Sequence, residues 1–311
     1  MAGPHDLVDP DLRPALAVLP DLSVLSHATL PQIRAILAAT QPAEATPGLT
    51  VEAVTIPGDG GQPGVPGLLY RPAGTASRPA ILNLHGGGMV AGTAERDDAA
   101  MRVLSVALDA VILSIDYRLA PEAPYPAALD DSLAALAWLH EQAPRLGVDG
   151  HRIALRGTSA GGGIAAGLAL LARDRGGPAI AFLSLVYPML DDRTVEQPFA
   201  GTHVWPVAAN RFGWDCYLGG IAPVPIYAAP GRADELSQLP PTFIATGAID
   251  LFADENLRFA QGLIRAGVPT ELHVYPGAYH GFTLIAGARV TQRFEQDSLM
   301  ALQRAFETVP R

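Results

Sequence analysis

The stretch Ile153-Ala154-Leu155-Arg156-Gly157-Thr158-Ser159-Ala160-Gly161 decides the fold of this chain. An apolar run of strand length leads directly into Gly-x-Ser-x-Gly, and a helical run of small residues follows. In this context the pentapeptide predicts a sharp turn that holds the serine in a strained backbone conformation. The serine would lie at a helix N-terminus, which favours a developing negative charge. Ser159 is therefore the candidate nucleophile. Taken alone, the motif fits a glycine-rich turn with an N-capping serine equally well.

Strands and helices alternate on both sides of this turn. Apolar runs of strand length occur at 51–56, 67–71, 80–84, 111–115, 153–156, 179–187, 242–246 and 271–275. Helical patterns lie between them at 96–108, 126–142, 160–173, 254–266 and 291–308. Several strand runs are continuously hydrophobic, as in parallel strands that are buried on both faces. The pattern predicts an α/β fold with a mostly parallel eight-stranded sheet flanked by helices.

The alternation starts late and is interrupted once. The N-terminal part carries two short helical stretches, 11–18 and 30–39, bounded by prolines. Between residues 191 and 238, in a predicted insertion, the periodicity of strands and helices gives way to prolines and aromatic residues, with one helix expected near 208–218. We interpret both parts as segments that cover a site. The predicted organisation is an N-terminal covering segment (1–48), the first part of the core (49–190), a covering insertion (191–238) and the second part of the core (239–311).

Composition and charge exclude several classes of function. The 311 residues, about half of them apolar, fit one large α/β domain with added segments. The net charge is −10 and the basic residues form no run that would track a phosphate backbone, so we expect no nucleic-acid partner. All 21 basic residues are arginines. The absence of lysine excludes Schiff-base chemistry, lysine-bound pyridoxal phosphate and the lysine of a phosphate-binding loop.

Cysteine content and terminal sequence bear on location and cofactors. The single cysteine, Cys216, cannot form an internal disulfide or a thiolate metal cluster, so its expected role is packing. The N-terminus lacks the basic start and apolar stretch of a secretory signal, and no apolar run is long enough to span a bilayer. There is no His-Glu-x-x-His motif. We therefore expect a cytoplasmic protein without a membrane span, a metal or another cofactor.

A second glycine motif, His85-Gly86-Gly87-Gly88, follows an apolar predicted strand. Glycines adopt the backbone shapes that turn several N–H groups toward one point, as in an oxyanion hole. We assign the donors to Gly87, Gly88 and Ala160, each worth roughly 3–4 kcal/mol of barrier lowering. Gly86 is expected to be a glycine mainly because neighbouring segments approach closely there. His85 is expected to pin the backbone through hydrogen bonds and not to transfer protons.

His280 and Asp250 are the candidate partners of the serine. His280 lies just after the predicted strand 271–275, and Asp250 follows the predicted strand 242–246, so both belong to the edge of the sheet that carries Ser159. An imidazole titrates near neutral pH and can accept the serine proton, and a carboxylate can orient that imidazole through its other ring nitrogen. Asp254 is the rival acid. Its place in the first turn of a predicted helix favours a capping or helix-dipole role instead.

These motifs resemble those of the hormone-sensitive-lipase family, also called family IV of the bacterial esterases, over about residues 50–310. The chain order Ser, Asp, His is that of α/β-hydrolases. The segment Asp116-Tyr117-Arg118-Leu119-Ala120-Pro121-Glu122, with Pro124, Pro126 and Asp130-Asp131 beyond it, is similar to a characteristic family segment. The resemblance implies an α/β-hydrolase fold with a helical cap formed by the N-terminal segment and the 191–238 insertion. Thr158 is similar to the residue of one bacterial branch whose members often form dimers, so the resemblance also implies a homodimer.

Two positions depart from the family pattern. Met89 stands where an aromatic residue often follows the glycines, which affects the shape of the adjacent pocket. Leu251 replaces the proline that usually follows the acid, and this leaves both nearby carboxylates in place. We expect Met89 to contact the substrate together with Trp205 and Trp214 of the insertion.

The combined motifs predict a serine carboxylesterase that works by two-step acyl transfer without a cofactor. Ser159 would attack the ester carbonyl, and His280 would protonate the leaving alcohol and then activate water. Apolar and aromatic residues of the covering segments favour small, uncharged esters, and the resemblance implies a preference for short acyl groups. An amidase or formamidase with the same triad remains an alternative. A non-catalytic protein that binds a small ligand on this scaffold is a further one, against which the three intact triad residues argue.

Overall fold

The computed structural model describes residues 3–38, 44–58, 61–74 and 77–308; Ala39, the last residue of the predicted helix 30–39, and the ends of the predicted organisation at 1–2 and 309–311 lie outside these ranges. Its centre is an eight-stranded sheet with the strand order β1-β2-β4-β3-β5-β6-β7-β8. β1 pairs antiparallel with β2, and β2 pairs antiparallel with β4, whereas all the other pairs are parallel. The predicted mostly parallel sheet is confirmed. The strands are β1 (Leu49–Ile56), β2 (Val65–Pro72), β3 (Arg78–Leu84), β4 (Val111–Ile115), β5 (Val148–Thr158), β6 (Phe182–Val186), β7 (Thr242–Gly247) and β8 (Thr270–Tyr275).

Helices cover both faces of the sheet. The helices are α1 (Leu30–Ala38), α2 (Asp98–Leu108), α3 (Ala127–Leu146), α4 (Ala160–Arg175), α5 (Val207–Leu218), α6 (Ala253–Arg265) and α7 (Arg289–Thr308). α2 and α7 contact each other on one face, and α3 and α4 contact each other on the opposite face. Successive strand residues point to opposite faces, so Ile81 joins the apolar cluster under α2 and α7 while Leu82 joins the cluster under α3 and α4. Burial on both sides explains why these strands are continuously hydrophobic.

Two helix predictions are wrong, and each concerns a stretch that contains a proline or ends near one. The pattern predicted that α3 would close before Pro144, but the helix continues to Leu146. Pro144 lies in the last turn, where its missing N–H removes one intrahelical bond and the helix can still end at Gly147, whose φ is 68°. The predicted helical stretch 11–18 is a short 3₁₀ turn, Arg13–Ala17. Pro14 lies inside this stretch and has no N–H to donate to a helical hydrogen bond.

The two segments predicted to cover a site contact each other. The 3₁₀ turn Leu22–Val24 of the N-terminal segment packs on α5 of the insertion. The ring of His27 meets the ring of Phe212 edge-on, with 5.1 Å between the centroids. Buried Leu30 anchors α1 in the apolar cluster on the same side. Within the described ranges, every helix is too short or too polar to cross a membrane.

Candidate active site

Ser159 lies in the turn between β5 and α4. Its backbone has φ 56° and ψ −119°, a strained conformation for a residue that carries a side chain. The surrounding structure holds it there. The Ser159 N–H donates to the carbonyl of Val186 at 2.8 Å, and the Ser159 carbonyl accepts the N–H of Met189 at 2.9 Å. The strain predicted from the pentapeptide is present, and the turn is fixed by bonds to the end of β6 and to the segment that follows it.

Gly157 and Gly161 are required by close approach of the backbone. A Cβ on Gly157 would lie 2.2 Å from the carbonyl oxygen of Gly161, and a Cβ on Gly161 would lie 2.1 Å from the carbonyl oxygen of Leu84. Real Cβ atoms essentially never approach so closely, so a larger residue would displace the chain. Because Leu84 ends β3, Gly161 brings the serine turn against the glycine loop that follows β3.

Two further loops bring His280 and Asp250 to the serine. His280 lies in the loop after β8, and Asp250 lies in the loop after β7. The Ser159 Oγ is 2.9 Å from His280 Nε2, and His280 Nδ1 is 2.9 Å from Asp250 Oδ2. All three side chains are buried, and Asp250 is fully inaccessible to solvent. The structure thus brings the three predicted residues into one hydrogen-bonded line.

The surroundings of Asp250 determine which nitrogen of the imidazole carries the proton. One carboxylate oxygen, Oδ1, accepts the N–H of Phe252 at 2.8 Å, and the other, Oδ2, faces His280 Nδ1. An ionised carboxylate can only accept hydrogen bonds, so Nδ1 must carry the proton. Nε2 is then the acceptor for the Ser159 hydroxyl. This tautomer is the one that can remove a proton from a serine.

Three aromatic rings enclose the imidazole. The centroid of the His280 ring lies 4.7 Å from that of Tyr187, 5.0 Å from that of Phe252 and 6.2 Å from that of Trp205. These contacts restrict rotation of the imidazole and keep water from its edges. Exclusion of water strengthens the hydrogen bonds to Ser159 and Asp250.

Asp254, the rival acid, lies outside this line. Its side chain is 53% exposed and pairs with Arg258, one turn further along α6, at 3.1 Å. As a residue of the first turn of α6, it places a negative charge near the helix N-terminus, where the helix dipole favours it. The geometry therefore favours Asp250 as the residue that orients His280.

The glycine loop lies against the nucleophile. A Cβ on Gly86 would be 3.3 Å from the Cβ of Ser159, so the two segments are in contact. Gly87 and Gly88 have φ values of 134° and 63°, which residues with side chains rarely adopt. Ala160 is the first residue of α4, where a backbone N–H has no acceptor within the helix. The three residues predicted as oxyanion donors thus belong to the two segments that meet at Ser159.

His85 supports the glycine loop from behind. Its Nδ1 is 2.9 Å from the carbonyl oxygen of Gly86, and its ring stacks on that of Tyr117 with 4.2 Å between centroids. The Tyr117 hydroxyl donates to the His85 carbonyl at 2.7 Å. Burial lowers the pKa of His85, which favours the neutral ring. These contacts fit the predicted role of pinning the backbone.

The residues predicted to contact the substrate are not equivalent. The ring of Trp205 lies directly over Gly88, where a Cβ would be 2.2 Å from it, and so stands at the site. Met89 is buried beside α4, with its methyl carbon 3.6 Å from the Cβ position of Gly163. Trp214 is buried in α5 and its ring meets that of Tyr217 at 6.1 Å. Only Trp205 of the three has a ring contact with His280 among the described residues.

Sequence reasoning missed two buried polar residues that support the nucleophile from α6. Glu255 Oε1 accepts the N–H of Leu190 at 2.6 Å, and Asn256 Nδ2 donates to the carbonyl of Pro188 at 2.7 Å. Between these two contacts lies Met189, whose N–H holds the Ser159 carbonyl. The first turn of α6 therefore holds the segment 188–190 in place, and this segment in turn holds the backbone of the nucleophile.

A signal for Glu255 was present in the sequence. Glu255, Phe259 and Leu263 recur every four residues and are all buried on one side of α6. A carboxyl group on the apolar stripe of a helix predicts an unusual environment. Burial indeed raises the pKa of Glu255 well above its ordinary value, with the bonds from Leu190 and Thr194 acting in the opposite direction.

Known proteins are similar to this chain in both sequence and fold. A family model described as the α/β-hydrolase fold matches residues 81–284. Carboxylesterase NlhH of Mycobacterium tuberculosis is 37% identical over 315 residues, which cover 95% of this chain and 97% of the relative. Esterase LipI of the same organism is 42% identical over 219 residues, 68% of each chain. The solved structure of a bacterial heroin esterase matches with a TM-score of 0.89 at 38% identity and covers 97% of this chain and 99% of its own.

Proposed function

Since this chain belongs to the α/β-hydrolase family, in its hormone-sensitive-lipase type, and is a carboxylic ester hydrolase, we propose that Ser159, His280 and Asp250 form its catalytic triad. The proposal rests on the hydrogen bonds between the three side chains. Two hydrogen bonds of 2.9 Å connect the hydroxyl, the imidazole and the carboxylate in the order that nucleophilic catalysis requires. The strained serine turn and the adjacent glycine loop support the same assignment.

In the acylation step, the Ser159 Oγ attacks the carbonyl carbon of the ester while its proton passes to His280 Nε2. The carbonyl oxygen becomes an oxyanion, which the N–H groups of Gly87, Gly88 and Ala160 stabilise. Each such donor is worth about 3–4 kcal/mol in measured oxyanion holes. Asp250 stabilises the imidazolium through Nδ1–H. The C–O bond then breaks, and the alcohol leaves with the proton from Nε2.

Deacylation repeats these steps with water as the nucleophile. His280 Nε2 takes a proton from water, and the resulting hydroxide attacks the acyl carbon bound to Ser159. The tetrahedral intermediate collapses when the Ser159 oxygen leaves and recovers the proton from the imidazolium. The carboxylic acid product departs, and the enzyme returns to its starting protonation state. The chemistry uses only side chains and backbone N–H groups of the chain itself.

We propose that residues 1–48 and 191–238 form a cap over a core of 49–190 and 239–311. The position of Trp205 over Gly88 and the packing of the N-terminal segment on α5 support this division. The side chains of Ser159 and His280 are almost completely buried beneath the cap. An acyl group at Ser159 must therefore fit beside the Trp205 ring, which favours small, short-acyl esters.

The proposal has two further parts: the resemblance supports a homodimer, and the cysteine content supports a cytoplasmic location. The single free cysteine, Cys216, is buried and fits a reducing compartment. Light scattering of the purified protein tests the dimer, and a monomer at micromolar concentration would contradict it. Fractionation of the producing cells tests the location, and recovery in the membrane or culture medium would contradict it.

Replacement of the nucleophile tests the triad. Ser159→Ala should abolish nearly all hydrolysis of nitrophenyl acetate, by a factor of about 10⁶ in kcat, because triad members act as a unit. A fluorophosphonate probe should label the wild type and not this variant. Thr158→Val removes the adjacent hydroxyl, which accepts a hydrogen bond from Arg156 at 3.4 Å, and serves as the control that keeps both labelling and activity. Labelling of Ser159→Ala at the wild-type rate would refute the assignment.

The acyl preference is tested with nitrophenyl acetate, butyrate and palmitate. We expect acetate and butyrate to be hydrolysed faster than palmitate, and Trp205→Ala to increase the relative rate on longer chains. Palmitate as the best substrate of the wild type would contradict the proposal. A comparison of nitrophenyl acetate with nitroacetanilide separates ester from amide preference, and equal rates would indicate an amidase.

A further inference from the structure

Arg34 joins the N-terminal segment to the glycine loop. It lies in α1, and its guanidinium reaches across to two loops of the core. Nε donates to the carbonyl of Val90 at 2.7 Å, and Nη2 donates to the carbonyl of Ala120 at 2.9 Å. Nη1 and Nη2 also form a two-point ion pair with the carboxylate of Glu122, at 2.8 and 2.7 Å. One side chain thus fixes three groups that are far from it in sequence.

The two carbonyl acceptors belong to the support of the proposed oxyanion hole. Val90 closes the tight turn that follows the glycines, because its N–H donates to the carbonyl of Gly87 at 3.2 Å. Ala120 holds the same turn from the other side, since its N–H donates to the carbonyl of Met89 at 3.0 Å. Arg34 therefore closes a ring of hydrogen bonds around the back of the loop.

The conformation of this loop needs external support. Gly87, Gly88 and Met89 are three consecutive residues with positive φ, and Met89, at φ 65°, carries a side chain that disfavours this region. A segment with this backbone would relax if its outer bonds were removed. Any relaxation would redirect the N–H groups of Gly87 and Gly88, and oxyanion donors act only when their direction is fixed before the reaction.

We propose that Arg34 is a positioning residue that holds the glycine loop in the shape needed to stabilise the oxyanion, so that the hole is complete only while α1 is docked. The inference rests on the proposed donor roles of Gly87 and Gly88. Arginine suits this task because its planar fork donates to several acceptors in fixed directions, whereas the lysine ammonium cannot span them. Arg34 touches no reacting atom and acts through the loop alone.

Arg78 provides a matched control. Among the described residues, its guanidinium likewise donates to the carbonyls of Ala73 and Gly74 and to the carboxylate of Asp109. It lies at the start of β3, whereas the glycine loop follows the end of that strand. Replacement of either arginine by methionine should destabilise the fold through lost hydrogen bonds. Only replacement of Arg34 should change the chemical step.

The experiment compares Arg34→Met, Arg34→Lys, Glu122→Gln and Arg78→Met on nitrophenyl acetate. Loss of one oxyanion donor lowers kcat by about 10²–10³, so a misdirected loop should lower kcat of Arg34→Met by about 10–100-fold. KM should change by less than about threefold, because the effect belongs to the transition state. Arg34→Lys should recover part of the loss. Glu122→Gln keeps both carbonyl bonds, and Arg78→Met leaves the loop intact, so both should stay within about threefold of the wild type.

A second readout separates loop geometry from general instability. Phenylboronic acid forms a tetrahedral adduct on the serine, and its inhibition constant should rise in Arg34→Met by the same factor as kcat falls. The inference is overturned if Arg34→Met keeps kcat within about twofold, if the loss is entirely in KM, or if Arg78→Met loses as much. If Arg34→Met fails to fold, Arg34→Lys takes its place in the test. The inference is then overturned if Arg34→Lys has the same kcat and the same boronate inhibition constant as the wild type. Inactivity of the wild type, or activity of Ser159→Ala, would instead refute the proposed function itself.

Discussion

Replacement of Asp250 by asparagine should reverse the tautomer of the catalytic imidazole while leaving the fold nearly unchanged. In the native site, Oδ1 accepts the N–H of Phe252 at 2.8 Å and Oδ2 accepts from His280 Nδ1 at 2.9 Å. The carboxamide has one oxygen and one NH₂ group. Because the Phe252 N–H still needs an acceptor, the amide oxygen should stay on that side and the NH₂ group should face Nδ1.

This orientation forces His280 Nδ1 to become an acceptor and moves the ring proton to Nε2. The Ser159 Oγ, 2.9 Å from Nε2, then faces a donor and has no base. In a serine protease the corresponding change lowered kcat by about 10⁴, and we expect a loss of the same order here. With about 1.4 kcal/mol for each factor of ten, this loss corresponds to about 5–6 kcal/mol of transition-state stabilisation.

The assay is the kcat for nitrophenyl acetate in Asp250→Asn, with Asp254→Asn as the control. Asp254 carries the same functional group four residues away, but it is half exposed and pairs with Arg258, so its variant should stay within about twofold of the wild type. Thermal unfolding monitors the fold of both proteins. If Asp250→Asn keeps more than about a tenth of the wild-type kcat, the deduced tautomer is wrong.

Two further predictions concern stability. Gly161→Ala places a Cβ 2.1 Å from the carbonyl oxygen of Leu84 and should lower the free energy of unfolding by at least about 1–3 kcal/mol, read from urea denaturation; an unchanged midpoint would contradict the close approach. The buried carboxyl of Glu255 has a raised pKa, so it favours folding in its protonated form and this contribution is lost as the pH rises from the unfolded value, about 4.5, through the folded one. Glu255→Gln keeps an acceptor for the Leu190 N–H and replaces the oxygen that accepts from Thr194 by an NH₂ group, which can donate to the Thr194 hydroxyl oxygen. Its stability should therefore fall less with rising pH than that of the wild type, and parallel pH curves from chemical denaturation would refute this interpretation.

Local motifs were sufficient to predict the residues that the structure brings together around Ser159. Each of the three side chains stands just after a strand with a clear apolar pattern, and parallel strands deliver their following loops to the same edge of the sheet. The backbone conformation of Ser159 could also be predicted, because glycines at 157 and 161 indicate that the strand and the helix on either side of the turn approach each other closely. Fold class and the proposed triad therefore needed no long-range information.

The supporting residues required long-range contacts that no short pattern encodes. Arg34 and Glu122 are 88 positions apart, and the motif containing Glu122 does not indicate which arginine it binds. Trp205 and Trp214 were indistinguishable in the sequence, since both are aromatic residues of one irregular segment. The conformation of residues 201–206 places the first over Gly88, while the helical position of the second turns its ring toward Tyr217. Packing, and not residue type, separates them.

The brace from the first turn of α6 also affects how this enzyme can change its specificity. The loop before α6 carries Asp250, and the helix itself bonds to the segment after β6 that holds Ser159, so acid and nucleophile belong to one mechanical unit. The insertion 191–238 also contacts this unit, because the Thr194 hydroxyl donates to Glu255 and the Gly201 N–H donates to the carbonyl of Ile249 at 3.2 Å. Substitution of Thr194 or Gly201 should therefore disturb the alignment of the reacting groups, whereas substitution of Trp205, whose ring lies over Gly88, changes the space beside Ser159 and leaves these two contacts in place. A new substrate preference should accordingly be easier to obtain at position 205 than at either of these anchoring positions.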